Sequence, residues 1–68
     1  MAALGRRYLH KKSGHIVLVL HIGRLQTAKP NPYLDDMDWM VVYMHDLNVW
    51  VRSEEEFDDG RFELIKDA

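Results

Sequence analysis

Residues 38–52, DWMVVYMHDLNVWVR, constrain this chain more than any other stretch. Trp39, Val41, Val42 and Tyr43 are aromatic or β-branched, and Val49, Trp50 and Val51 repeat that chemistry. His45, Asp46, Leu47 and Asn48 separate the two runs with turn-forming polar groups. The stretch therefore reads as a β-hairpin. Apolar residues do not recur at helical spacing, which disfavours a helix. A turn centred on Asp46 and Leu47 pairs Tyr43 with Trp50 and Val42 with Val51. One face then carries Trp39, Val41, Tyr43, Trp50 and Arg52. The other carries Met40, Val42, Met44, Val49 and Val51. Both faces are apolar, so both need covering.

The rest of the chain is placed around that ribbon. Residues 6–10 read as a first strand and residues 11–14 as a turn ending in glycine. Residues 15–26 form the longest strand candidate, with His10 opposite His15, Leu9 opposite Ile16 and Tyr8 opposite Val17. Leu9, Ile16, Leu18, Leu20 and Ile22 then share one face, and Tyr8, Val17, Val19 and His21 the other. Gly23 suggests a bulge. Residues 27–37 contain Pro30 and Pro32 and form a long irregular loop. Ser53 with Glu56 three residues on is a capping-box pattern, and Asp58-Asp59-Gly60 leaves room for one helical turn of 3₁₀ type. Residues 61–65 alternate as a last strand. This order predicts an all-β fold: a small five-stranded SH3-like barrel with one short helical turn before the last strand. A single domain is expected over 6–65, with 1–5 and 66–68 as loose termini.

Sixty-eight residues bound the core tightly, because a chain of this size hides only about 60% of its surface on folding. Without cysteine there is neither a disulfide nor a thiolate zinc site. That composition suits a reducing cytoplasm, where the chain is expected to work. No apolar run is long enough to span a bilayer and no signal peptide is read at the N-terminus, so no membrane partner is expected. The net charge is −2, but residues 1–30 hold six cations and no acid, while residues 31–68 hold eleven acids and three cations. Pairing of the two halves within one sheet is the plainer reading; a two-sided surface that orients a partner is the sharper one.

Several motifs are similar to a family of short bacterial and phage SH3-like domains of unknown function. Tyr8, His10, Lys11 and Lys12 match its opening Tyr-x-His-Lys-Lys, and Val41, Val42 and Tyr43 its central Val-Val-Tyr. Trp50, Val51 and Arg52 match Trp-Val-Arg-Pro, and Phe57, Asp59, Gly60, Arg61 and Phe62 match Phe-x-Asp-Gly-Arg-Phe. The chain departs at Ser53, where the family has proline, and in a longer loop near residues 29–38. The resemblance implies a compact β-rich domain and brings no activity with it.

The chemistry-bearing residues support binding over catalysis. His10, His15 and His21 on one face suggest a zinc or copper site, but the usual second pair of ligands is missing, so no metal or cofactor is assigned. Asp35, Asp36 and Asp38 lack the glycine and distal glutamate of a calcium loop. Ser13 and Ser53 are explained by turn and cap roles, and exposed carboxylates are poor acid–base catalysts. No enzyme is expected. Trp39, Tyr43, Trp50 and Arg52, with Tyr8 secondary, are candidate anchors of a protein–protein interface, since aromatics and arginine dominate such contacts. Self-association is the expected use of the surplus apolar face, giving a homodimer. The alternative is a small nucleic-acid binder that uses Arg6, Arg7, Lys11, Lys12 and Arg24 as a basic strip.

Overall fold

The computed structural model describes residues 2–29 and 31–66. Met1, Pro30, Asp67 and Ala68 lie outside them, which includes two of the C-terminal residues expected to be loose. The chain forms mostly a five-stranded antiparallel sheet with one short helix. Its strands are β1 (Arg7–His10), β2 (His15–Arg24), β3 (Trp39–His45), β4 (Asn48–Ser53) and β5 (Phe62–Leu64). Helix α1 (Glu54–Glu56) follows β4 directly. The strands lie in the order β4-β3-β2-β1-β5. Strands β4 and β5 are the edges, and the sheet is not closed between them.

Both hairpins adopt the register their turn chemistry demands. Tyr43 lies opposite Trp50 and Val42 opposite Val51. Asp46 and Leu47 carry φ of 51° and 68°, the left-handed pair of a type I′ turn whose twist matches that of the strands. In the first hairpin Tyr8 lies opposite Val17 and His10 opposite His15. Gly14, at φ 76°, turns the chain there.

The bulge in β2 falls between Val19 and His21 rather than at Gly23. One extra residue at Leu20 reverses the alternation beyond it. Ile22 consequently packs against the core, and His21 turns to the outer face opposite Val42. The sequence-based assignment of His21 to the inner face, beside His10 and His15, is corrected by that single residue.

The inner face holds Tyr8, Val17, Val19, Val41 and Tyr43, and it is closed by Phe57 and Phe62. Their rings stack in parallel with centroids 4.2 Å apart. Tyr8 meets Phe57 edge-on at 5.0 Å, and Tyr43 meets Phe62 at 5.5 Å. Phe57 reaches this position because Ser53 caps α1, its hydroxyl accepting the Glu56 amide at 3.3 Å. The segment after α1 is not a 3₁₀ turn. Residues Phe57–Arg61 make one wide turn that Gly60 ends at φ 102°. That width swings Phe57 and Phe62 onto the same side.

Residues 2–5, expected as a loose end, are tied down. Ala2 is buried, the Ala3 amide donates to the Tyr8 hydroxyl at 2.8 Å, and the Gly5 amide donates to the Val19 carbonyl at 2.9 Å. The radius of gyration is 12.4 Å, against about 11 Å for a compact chain of this length. Among the described residues no helix is long and apolar enough to cross a membrane.

Phe57 is 1% exposed and touches every aromatic ring of the core. Its replacement by alanine is expected to cost about 3–5 kcal/mol, most of what a domain this small possesses. Thermal denaturation followed by circular dichroism should show loss of the cooperative transition; an unchanged melting temperature would remove Phe57 from its structural role.

Candidate functional site

Two strand ends and a turn meet beside the phenylalanine stack and leave a cleft of about 270 Å³. The first hairpin brings His10 and His15 there as register partners. Strand β3 brings His45, whose ring stacks on His15 at 4.1 Å with 12° between the planes. The His45 Nδ1 donates to the Ile16 carbonyl at 3.2 Å, which fixes the ring in place. The His10 ring lies on Phe62 at 4.8 Å, and its Nδ1 shares a hydrogen bond of 2.7 Å with Ser13 Oγ. Ser13 also accepts the His15 amide at 3.2 Å, the expected turn role. Trp50 and Arg52 reach the same cleft from β4. Arg52 Nε donates to the Tyr43 hydroxyl at 3.4 Å, and its guanidinium lies 5.5 Å from the centre of the Phe62 ring.

The neighbourhood is electropositive. His10 is pushed below the ordinary 6.5, first by desolvation and then by the positive charges of Arg52, His15, Lys12 and Arg61. The turn is held against β5 by the Lys11 amide, which donates to the Arg61 carbonyl at 3.0 Å. The acids at this end are local counterions. Arg52 Nη1 is 3.6 Å from Glu56, and Arg61 Nε is 2.9 Å from Asp59. Both pairs are partly exposed and contribute little to stability. At the other end of the sheet, Asp38, Glu54, Glu55 and Asp58 border a depression beside Trp39 and Tyr33. Each end also carries the opposite sign: Arg24 lies over Trp39 at the acidic one, and Glu56 and Asp59 face Arg52 and Arg61 at the basic one.

The candidate interface anchors are divided by the fold. Tyr8 and Tyr43 are buried and leave little surface for a partner. Trp39 lies at the acidic end, with the Arg24 guanidinium 3.9 Å above its ring. Trp50 and Arg52 remain together in the cleft. The basic strip is divided too. Lys11 and Lys12 join Arg52 and Arg61 around one depression, while Arg24 donates to the Met37 carbonyl at 3.1 Å near the loop. Arg6 and Arg7 sit at the start of β1, Arg7 opposite Leu18. Among the described residues no three histidines, cysteines or acids are placed to hold a metal ion. Asp36 and Asp38 instead accept backbone amides of the loop, at 2.9 Å from Thr27 and from Asp35.

Sequence reasoning missed His45, which it treated as a turn residue. The register between β2 and β3 brings it to His15, and that register passes through a long loop and a bulge. No local signal in the sequence encodes it.

A second feature lies on the opposite side of the sheet. Register places Leu9, Ile16, Leu18, Val42, Met44, Val49 and Val51 on the outer face, running across β1, β2, β3 and β4. Ile16, Val49 and Val51 are exposed, and the others are half-buried. The loop approaches this face near Met40 and Val51, where Leu34 and Tyr33 border the same depression. Compared with known proteins, the chain matches no family model, no curated protein and no solved structure.

The lowered affinity of His10 for a proton sets the sign of a pH effect. Above pH 6.5 the imidazole is neutral whether the chain is folded or not. Below it the unfolded chain takes up the proton first, so stability is lost as pH falls towards the folded-state value. An NMR titration should place the His10 midpoint below 6.5, and Lys12→Gln should raise it. A midpoint above 6.5 would contradict the electropositive site.

Proposed function

We propose that this chain is a non-catalytic binding domain, an SH3-like barrel in kind and of bacterial or phage origin, that works in the cytoplasm through a protein–protein interface. The observation that carries this reading is the uncovered apolar stripe on the outer face. Its occupant is a second copy of the chain. The middle of the stripe, from Leu18 through Val42 and Met44 to Val49 and Val51, has no aspartate, glutamate, lysine or arginine, and His21 borders it opposite Val42, so packing it against itself buries no acid or permanent cation. Face-to-face packing of two sheets is a standard way to bury such stripes.

The size of the patch sets the strength of association. Strand spacing of about 4.8 Å and a rise of about 3.4 Å per residue put it at roughly 300 Å². A stable interface covers about 800 Å² on each partner. Association is therefore weak and depends on concentration.

Leu47 adds a second observation. It is 93% exposed at the tip of the β3–β4 hairpin and held at positive φ, where leucine costs about 1–2 kcal/mol relative to its ordinary conformation. Glycine suits that position better for stability. An exposed apolar side chain kept at a conformational cost supports a contact role.

Sedimentation velocity over a range of concentrations tests the reading. The wild-type chain should shift towards a dimer as concentration rises, and Val51→Glu should remain monomeric with its β-sheet spectrum intact. A wild-type monomer at every concentration would overturn the self-docking face. Leu47→Gly should separate the two roles of that residue, raising the melting temperature while weakening association. A variant that loses stability would remove the argument from strain.

A further inference from the structure

We propose that the cleft between the histidine stack and Trp50 binds a nucleotide, with the base in the cleft and the phosphate in the basic depression next to it. The two spaces share His10 and Arg52 as a common wall. This site lies on the inner side of the sheet, so it is separate from the outer stripe and does not depend on it.

The cleft favours a flat ring. Its walls are the Trp50 indole, 51% exposed, the parallel His15–His45 pair and the His10 ring lying on Phe62. Val17 and Tyr43 line it as well. An exposed indole beside rings that are already stacked offers a surface on which a nucleobase gains stacking energy whatever its identity. The volume of about 270 Å³ suits one base and not a folded partner.

The adjoining depression favours an anion. It is lined by His10, Lys11, Lys12, Arg52 and Arg61. Glu56 and Asp59 offset two of the four permanent cations, which leaves a net positive charge with Lys11 and Lys12 on the exposed turn. Desolvation first, and after it the nearby positive charges, lower the proton affinity of His10. Arginine beside lysine is a common means of holding phosphate.

The relative placement of the two halves selects the ligand class. Lys11, Lys12 and Arg61 sit beside the cleft and Arg52 lies between the two spaces, whereas the cleft lining includes Val17, Tyr43 and Phe62. A phosphotyrosine carries its phosphate in line with its ring. A nucleotide carries its phosphate to one side, across a sugar, and matches the offset. The ligand is thus a nucleoside phosphate, either free or as one unit of a single strand.

Fluorescence titration of a Trp39→Phe variant isolates Trp50 as the reporter. The probes are adenosine monophosphate, a short oligothymidylate, a phosphotyrosine peptide and inorganic phosphate, each at low and moderate salt. Adenosine monophosphate or the oligonucleotide should quench Trp50, more weakly as salt rises. Replacing Trp50 with alanine in the wild-type chain, followed by NMR, should weaken binding about tenfold or more. Lys12→Gln, on an exposed turn, should weaken binding without disturbing the fold, and Arg52→Gln should do so more strongly. Tighter binding of the oligonucleotide assigns the site to a single strand, and equal binding assigns it to a free nucleotide; both support the proposal. It is overturned by the absence of quenching with either nucleotide probe. Equal or tighter binding of the phosphotyrosine peptide or of phosphate alone also overturns it, as does indifference to the Lys12 and Arg52 substitutions.

Discussion

The parallel stack of Phe57 on Phe62 is the contact on which the remaining structure depends. A sheet face of two tyrosines and several valines needs a cover, and a chain of 68 residues has little to spend on one. It supplies that cover with one capped helical turn, one wide turn and the first residue of a short strand. The two phenylalanines stand five residues apart in sequence, yet their rings meet at 4.2 Å because Gly60 allows the chain to reverse between them. Without the pair the inner face would be wet from Tyr8 to Tyr43, and no second layer would exist.

Covering one face so economically leaves the other open. On the outer face Ile16, Val49 and Val51 stay exposed, and the loop reaches that face near Met40 and Val51. The same economy shapes the inner mouth. The rings that close the core do not fill it completely, and Trp50, Arg52 and three histidines surround the remaining space. Both candidate surfaces are thus consequences of a core too small to enclose all its aromatic and branched residues. The first turn brings lysines beside Arg52 and Arg61, where Glu56 and Asp59 are counterions, while Asp38, Glu54, Glu55 and Asp58 border the depression beside Trp39.

Much of the architecture was legible in the chain. The type I′ turn at Asp46 and Leu47 and the glycine turn at Gly14 each set a register over a short distance, and both registers agree with the structure residue for residue. Ser53 announced its cap through Glu56. The candidate site was legible only in pieces. Trp50, Arg52 and His45 fall on one face by alternation within the β3–β4 hairpin, but nothing local links them to His15 or to Arg61.

Sequence by itself determined the strands, their hairpin partners and the need to cover an apolar ribbon, because alternation and turn geometry act within about ten residues of chain. Tertiary structure decided the remainder. The bulge at Leu20 sent His21 outward and Ile22 inward, since one inserted residue inverts every side chain after it. The β2–β3 pairing placed His45 on His15, and the wide turn placed Arg61 beside Lys11. Those meetings depend on how the inner face is packed and closed, and that packing is a property of the whole sheet rather than of any one strand.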